Sequence, residues 1–356
     1  MRKTYLDNIR WITIVLVIIY HVIYMFNGVT SYPVFGPFSD NQPQDIFQYV
    51  VYPWFMLLLF TVSGMCSRYE LERRSTKEFV RLRTRKYLVP STLGLLAGGF
   101  ILGYYNVLIG GGLSDVLTLP KPIVFMIFCF SGTGPLWYIQ MLWIFSVLLV
   151  AIRKIEKDKL YNVCSKAGIV VTILFTVVIC GAAYVLNLPI VVYRFGIYGA
   201  GFFFGYFVMS HDDVMEKMEK NWLWVDILAI VAGIVYILMN LGKSYPDIEI
   251  LERPECSIYA WLATVGIILF MKKWGNFENS FTKWMIKKSW GLYVFHYLPM
   301  AVASLYLLRF VPNVLPFAAY LVAAVSGFAG AIILYEIISR IPVWRWFLLG
   351  IRGEKK

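Results

Sequence analysis

Three side chains in the first apolar stretch are of types that a bilayer excludes: Asp7, Arg10 and His21. Ionisable groups inside a membrane span are costly and mark function by default. At 100° per residue, Arg10 and His21 are three turns plus about 20° apart, so they share one helix face, about 16 Å apart along the axis. Asp7 lies one turn before Arg10, at the i,i+3 spacing that lets the two pair. The stripe therefore reads acid, base, imidazole. An imidazole titrates near neutrality and can serve as a proton acceptor in a polar cavity. The competing readings are a snorkelling Asp7–Arg10 pair at the interface and a His21 held in an interhelical hydrogen bond.

The chain has two further histidines. His211 sits in the polar loop Ser210-His211-Asp212-Asp213 and reads as solvated. His296 closes the apolar segment Ser289-Trp290-Gly291-Leu292-Tyr293-Val294-Phe295-His296, either lining the same cavity as His21 or satisfied in the core. Two histidines without an acidic cluster are too few for a metal centre, and H-E-x-x-H, Walker and G-x-S-x-G patterns are absent. The five cysteines are odd in number and scattered, which argues against a disulfide framework or a zinc site.

These residues must be held by membrane helices. Of 356 residues, 59% are apolar and only 15% charged, whereas a soluble domain is about 25% charged. A soluble enzyme, a collagen, a coiled coil and a disordered chain are excluded. Stretches long enough to cross a bilayer as helix fall at 8–27, 49–67, 88–109, 135–152, 168–187, 193–210, 222–241, 257–272, 289–309 and 316–339. The expectation is an all-α bundle of about ten transmembrane helices. The stretch 122–131 is too short to cross and reads as re-entrant or interfacial. Met1-Arg2-Lys3 before the first run is read as the start of a retained span, because no small-residue cleavage site follows.

The net charge of +12 has a topological origin. With the N-terminus inside, the alternate loops 68–86, 153–166, 217–220 and 272–288 and the two ends carry 27 Lys and Arg, and the outside segments carry 5. The positive-inside rule then places both termini in the cytoplasm, and no nucleic-acid partner is needed. One transmembrane domain, 1–340, is expected, followed by a basic cytoplasmic tail, 341–356. The longest external loops are 27–48, 110–134 and 242–256.

Tyr5-Leu6-Asp7-Asn8-Ile9-Arg10 with the apolar run to His21 resembles the opening of the acyltransferase type 3 family of multispan membrane proteins. Other segments are similar to that family in the same order. They are Phe60-Thr61-Val62-Ser63-Gly64-Met65, the basic stretch Arg81-Leu82-Arg83-Thr84-Arg85-Lys86 before Pro90, Gly134-Pro135-Leu136-Trp137-Tyr138, Phe204-Gly205-Tyr206, and Ser289 to His296. The arginine spacing before Pro90 departs from the commonest family form. The resemblance implies a plasma-membrane O-acyltransferase with no permanently bound cofactor. Its donor would be acyl-CoA, chiefly acetyl-CoA, on the cytoplasmic side. Its acceptor would be a hydroxyl of a cell-envelope glycan or a small molecule.

The residue chemistry is compatible. Arginine forks match phosphate oxygens, so Arg68, Arg81, Arg83, Arg85 and Lys86 are the candidate acyl-CoA binders. The competing reading is that they enforce topology and touch anionic lipid. His21, Arg10 and Asp7 are the candidate catalytic group, with His21 as the base that deprotonates the acceptor hydroxyl or as a transient acyl carrier. Ser63, Tyr138 and Tyr293 are candidate oxyanion donors. Trp137, Arg194 and His296 are further cavity candidates. Trp137 and Tyr138 otherwise read as aromatic-belt residues, and Arg194 as a snorkelling residue. The rival functions are a secondary transporter or flippase, and a sensor or scaffold of an envelope pathway. The absence of visible repeats argues against the transporter.

Overall fold

A computed structural model describes residues 3–31, 33–40 and 42–352. It is 79% helical, and strands are absent among the described residues. Arg2 and residues 353–356 of the expected basic tail lie outside the described residues.

The helices are α1 (Thr4–Met25), α2 (Ile46–Arg73), α3 (Thr76–Ile109), α4 (Lys121–Ser131) and α5 (Gly134–Glu156). They continue with α6 (Lys159–Cys164), α7 (Ile169–Ala182), α8 (Phe195–Met209), α9 (Asp212–Glu219), α10 (Trp222–Asn240) and α11 (Pro254–Trp274). The last are α12 (Ser280–Phe295), α13 (Tyr297–Phe310), α14 (Pro316–Arg340) and α15 (Pro342–Leu349). Seven helices are long and apolar enough to span, and the α12–α13 pair makes eight if counted as one bent span. The other two expected spans, 168–187 and 193–210, appear as the shorter helices α7 and α8. Asn187 and Arg194 interrupt the apolar run there. They turn the chain through a short bridge and bond Glu252 and the Leu251 carbonyl.

Helices α2 and α11 form the middle of the bundle, with 83% and 72% of their apolar windows buried, against 22% for α3, α10 and α14. Small residues allow the closest approach. A Cβ on Gly64 would lie 1.9 Å from the Phe202 carbonyl oxygen, and one on Gly205 would lie 2.1 Å from that of Thr61. Two of the sequence motifs, Ser63-Gly64 and Gly205-Tyr206, are thus the two sides of one α2–α8 seam, packed backbone to backbone as membrane helices favour.

The basic segments gather at one end. Lys3 pairs with Asp212 at 2.6 Å, and the Asn8 amide donates to the carbonyls of Gly275 and Phe277. Arg68 pairs with Asp158 at 2.6 Å, and Lys272 pairs with Glu219. The indole of Trp290 donates to the Leu349 carbonyl, so α15 belongs to the bundle, and Leu349 is fully buried. At the opposite end, loops 27–48 and 242–256 meet through Ser31 to Asp247 and Tyr49 to the Lys243 carbonyl. Loop 110–134 instead folds back, and α4 lies along the second half of α3, with Gly103 against the Phe128 carbonyl.

Two helix breaks lie next to each other. The segment α12–α13 bends by 55° at His296. Pro299 has no N–H for the Phe295 carbonyl, which accounts for the bend. The chain from α4 into α5 breaks at 132–136, where Gly132, Gly134 and Pro135 interrupt the helix. The Tyr293 hydroxyl donates to the Pro135 carbonyl and ties the breaks together.

Candidate active site

A cavity of about 550 Å³ opens at the basic end between α1, α2, α3, α5 and α12. Its mouth carries exposed Arg73 and Arg74 with Lys3, and its deep end carries buried Leu59, Tyr138 and Tyr293 beside Ile14. Six basic side chains line it (Lys3, Arg10, Arg73, Arg74, Arg83, Lys86), against two acidic ones, Asp7 and Glu70. The cavity is therefore built to attract an anion.

Helix α1 delivers its stripe as the helical phase predicts. Arg10 Nη1 stands 3.6 Å from Asp7 Oδ1. Although Arg10 sits within the bundle, a third of its side-chain surface stays accessible because it faces the cavity. The pair is not a lipid-facing snorkel. Ile14 closes this stretch of α1, and His21 lies two turns further on, about 10 Å along the axis. His21 shares Arg10's face of α1, but it lies beyond the cavity's deep end and does not line it. Helix α12 runs parallel in logic: Ser289, Trp290 and Tyr293 line the cavity, and His296 sits one turn past them.

The two histidines meet. His296 Nε2 is 3.3 Å from His21 Nδ1, and the rings are 5.0 Å apart. The carbonyls fix the protons. His296 Nδ1 lies 2.9 Å from the Tyr293 carbonyl oxygen and 3.1 Å from that of Leu292. A carbonyl only accepts, so His296 Nδ1 carries its proton and Nε2 of the neutral ring is a bare acceptor. His21 Nδ1 is 2.7 Å from the Val17 carbonyl, so it also carries a proton, shared between Val17 and His296. His21 Nε2 is then left with its lone pair and takes no hydrogen bond from the described residues. It is held among Tyr20, Tyr24 and Tyr297. This is the tautomer a general base needs.

The expected acyl-CoA binders divide. Arg83 and Lys86 line the cavity; Arg68, Arg81 and Arg85 do not. Arg68 is spent on structure: it bonds Glu72 at 2.9 Å and Asp158 at 2.6 Å and lies 3.6 Å over the Tyr161 ring. Arg83 is buried and links α2 to α3 by donating to Glu70 (2.8 Å), Ser67 and Tyr87. Lys3, Arg73 and Arg74 are the additional mouth cations. Lys3 could have been found by extending the Asp7–Arg10 stripe one turn back.

The candidate oxyanion donors are otherwise engaged. Tyr138 donates its hydroxyl to the Leu59 carbonyl at 3.2 Å and accepts from Ser63 at 3.0 Å. Tyr293 donates to Pro135. Either tyrosine has to swing to serve an oxyanion. Trp137 packs in a ring cluster with Phe60, Tyr193 and Tyr198, outside the cavity. Arg194 is 3% exposed and donates to the Leu251 carbonyl at 2.8 Å, so it is buried at the far end rather than snorkelling. Cys66, which the sequence did not single out, lines the cavity one turn from Ser63 and Glu70.

Outside the membrane, Tyr161 is sandwiched between Arg68 and His211, whose ring stacks on it at 3.8 Å. Burial pushes the His211 pKa down. Burial pushes Asp158 up, but its hydrogen bond to and the charge of Arg68 prevail and hold it below the ordinary carboxylate range.

The fold and the site together define a multispan helical membrane protein with a basic cavity and, beyond its deep end, a pair of histidines in contact. The chain belongs to the acyltransferase family whose model, described as an acyltransferase domain, matches residues 3–336. It is a membrane acyltransferase. Comparison with curated proteins and with solved structures gives no match.

Proposed function

We propose that the chain is an acyl-CoA-dependent O-acyltransferase of the plasma membrane. It moves a small acyl group from cytoplasmic acyl-CoA to a hydroxyl of a cell-envelope glycan or small-molecule acceptor. The observation that carries this reading is the cavity itself: cationic at its basic-end mouth, with Tyr293 in its wall one helical turn before His296, the partner of His21. Positive-inside topology puts that mouth in the cytoplasm.

The coenzyme phosphates are held by Lys3, Arg73, Arg74 and Lys86, and Arg10 binds deeper. Tyr87 and Trp290 on the same wall offer aromatic faces to the adenine. The pantetheine arm runs inward, and the thioester reaches the level of Tyr293. The acceptor hydroxyl enters from the opposite end and meets His21 Nε2. Its oxygen attacks the thioester carbonyl carbon while Nε2 takes its proton. The C–S bond then breaks, the ester forms, and the CoA thiolate recovers that proton from His21 to leave as the free thiol. His296 accepts from His21 Nδ1–H throughout and keeps the attacking nitrogen bare.

The test is purified protein in nanodiscs with radiolabelled acetyl-CoA and candidate glycan acceptors. Acyl transfer and CoA release are expected and should fall about 10²- to 10⁴-fold in His21→Ala. Unchanged turnover in that variant removes His21 from the mechanism.

A further inference from the structure

A second cavity of about 470 Å³ lies behind the first. Its walls come from α3, the break before α5, the α12–α13 bend, α14 and α15. They are apolar throughout, with Thr133 as the one hydroxyl residue, and that hydroxyl is spent on the Phe130 carbonyl. The two cavities stand back to back. Tyr293 lines the first, and the next residues of its helix, Val294 and Phe295, line the second. Tyr138 lines the first, and Pro135 and Leu136 line the second. A hydrogen bond from the Tyr293 hydroxyl to the Pro135 carbonyl spans the partition between them.

A thioester carbon has three directions to satisfy: sulfur and coenzyme, incoming hydroxyl, and acyl chain. At the level of Tyr293 the molecule offers three matching directions. The basic mouth takes the coenzyme, and the His296–His21 side admits the hydroxyl. The third direction passes between Tyr293 and Pro135 into the apolar cavity. We propose that this cavity is the acyl-chain site of the donor and that the preferred donors carry medium-length hydrocarbon chains rather than acetyl alone. Rotation of Tyr293 away from Pro135 opens the passage, and the same rotation frees its hydroxyl to face the thioester oxygen. The assignment rests on the acyl-CoA reading above and goes beyond it by naming the donor class.

Binding and turnover separate the two ideas. Calorimetry with CoA, acetyl-CoA, hexanoyl-CoA and octanoyl-CoA is run on wild type and on the cavity-filling variants Ala97→Phe and Leu334→Trp. Each buried methylene is worth up to about fourfold in affinity, so octanoyl-CoA should bind wild type at least tenfold tighter than acetyl-CoA. The variants should collapse that ratio toward one, and the octanoyl-to-acetyl turnover ratio should fall with it. Equal affinities along the series in wild type overturn the proposal. So does a chain-length preference that survives both variants, which would leave the cavity to bulk lipid. If chain length tunes binding in this way but no acyl group is ever transferred, the acyl-chain site stands and the transferase reading fails.

Discussion

The histidine pair makes a prediction that distinguishes a working contact from a packing contact. His296 is fully buried and outside the cavity, and its Nε2 reaches only His21. Its Nε2 can therefore act on the reaction only through His21, while its Nδ1–H braces the Leu292 and Tyr293 carbonyls. Loss of a general base costs about 10²- to 10⁴-fold, and His21→Ala should fall in that range. In His296→Leu the bond to His21 Nδ1–H is gone. That bond matters most when His21 is positively charged, at the moment it holds the acceptor's proton. A hydrogen bond to a charged group is worth about 1.5–3 kcal/mol, which predicts a kcat loss of about 10- to 150-fold. The KM for acyl-CoA should move little, because His296 does not line the cavity and meets it only at the Tyr293 backbone carbonyl. His296→Gln, whose amide oxygen can accept from His21, should recover most of the loss. The decisive measurement is the double variant, assayed by radiolabelled acyl transfer in nanodiscs. It should be no slower than His21→Ala alone, since the second deletion removes a partner that is no longer there. Multiplicative losses in the double variant, or a changed KM in His296→Leu with kcat intact, would refute the relation drawn between the two rings.

Three further outcomes follow from other contacts. Arg83 has a side chain 6% exposed and donates to Glu70, which keeps Arg74 at 3.7 Å as a second partner, so Arg83→Met should cost about 1.5–3 kcal/mol of stability, the worth of a hydrogen bond to a charged group. Adding Glu70→Gln should return much of it, as read by thermal unfolding in detergent. Cys66 is reachable from the basic mouth, so a variant retaining only this cysteine should react with a membrane-impermeant maleimide from the cytoplasmic side and be protected by CoA; labelling from the other side alone would invert the topology. His211 is held neutral by burial, with Arg68 and Asp213 nearby. Its folded-state pKa is depressed, so the unfolded chain binds the extra proton, and stability should fall as pH drops below about 6.5. His211→Phe should flatten the dependence of Tm between pH 7.5 and 5. Asp158, also depressed, contributes only as pH falls through the carboxylate range and does not overlap this window.

The parts of the site that a single helix determines were legible in the sequence. The 100° phase put Asp7, Arg10 and His21 on one face, and their bundle placement follows it. The charge asymmetry became one basic end. What sequence could not give is how deep the cavity runs. Helical phase fixes direction around an axis, whereas a cavity's floor depends on the side chains that neighbouring helices supply, here Leu59, Tyr138 and Tyr293. Arg68 and Arg83 looked alike as phosphate ligands, but Asp158, 90 residues away, takes the first, and Glu70 takes the second. Asn187 and Arg194 were hidden in apolar stretches whose average hides a turn. The bend at His296 did have a signal: Pro299 three residues on marks the break.

The bond between Tyr293 and Pro135 joins residues 158 positions apart in the chain. During synthesis the Gly132–Leu136 break enters the membrane long before its partner is translated. Until then the break has no tie to the second broken segment, α12–α13. The order of manufacture thus sets a dependency: the N-terminal half cannot close its interior until α12 arrives. Nascent chains stopped before Tyr293 are expected to hold α4 and the start of α5 insecurely and to be the substrates that insertion chaperones and membrane proteases recognise.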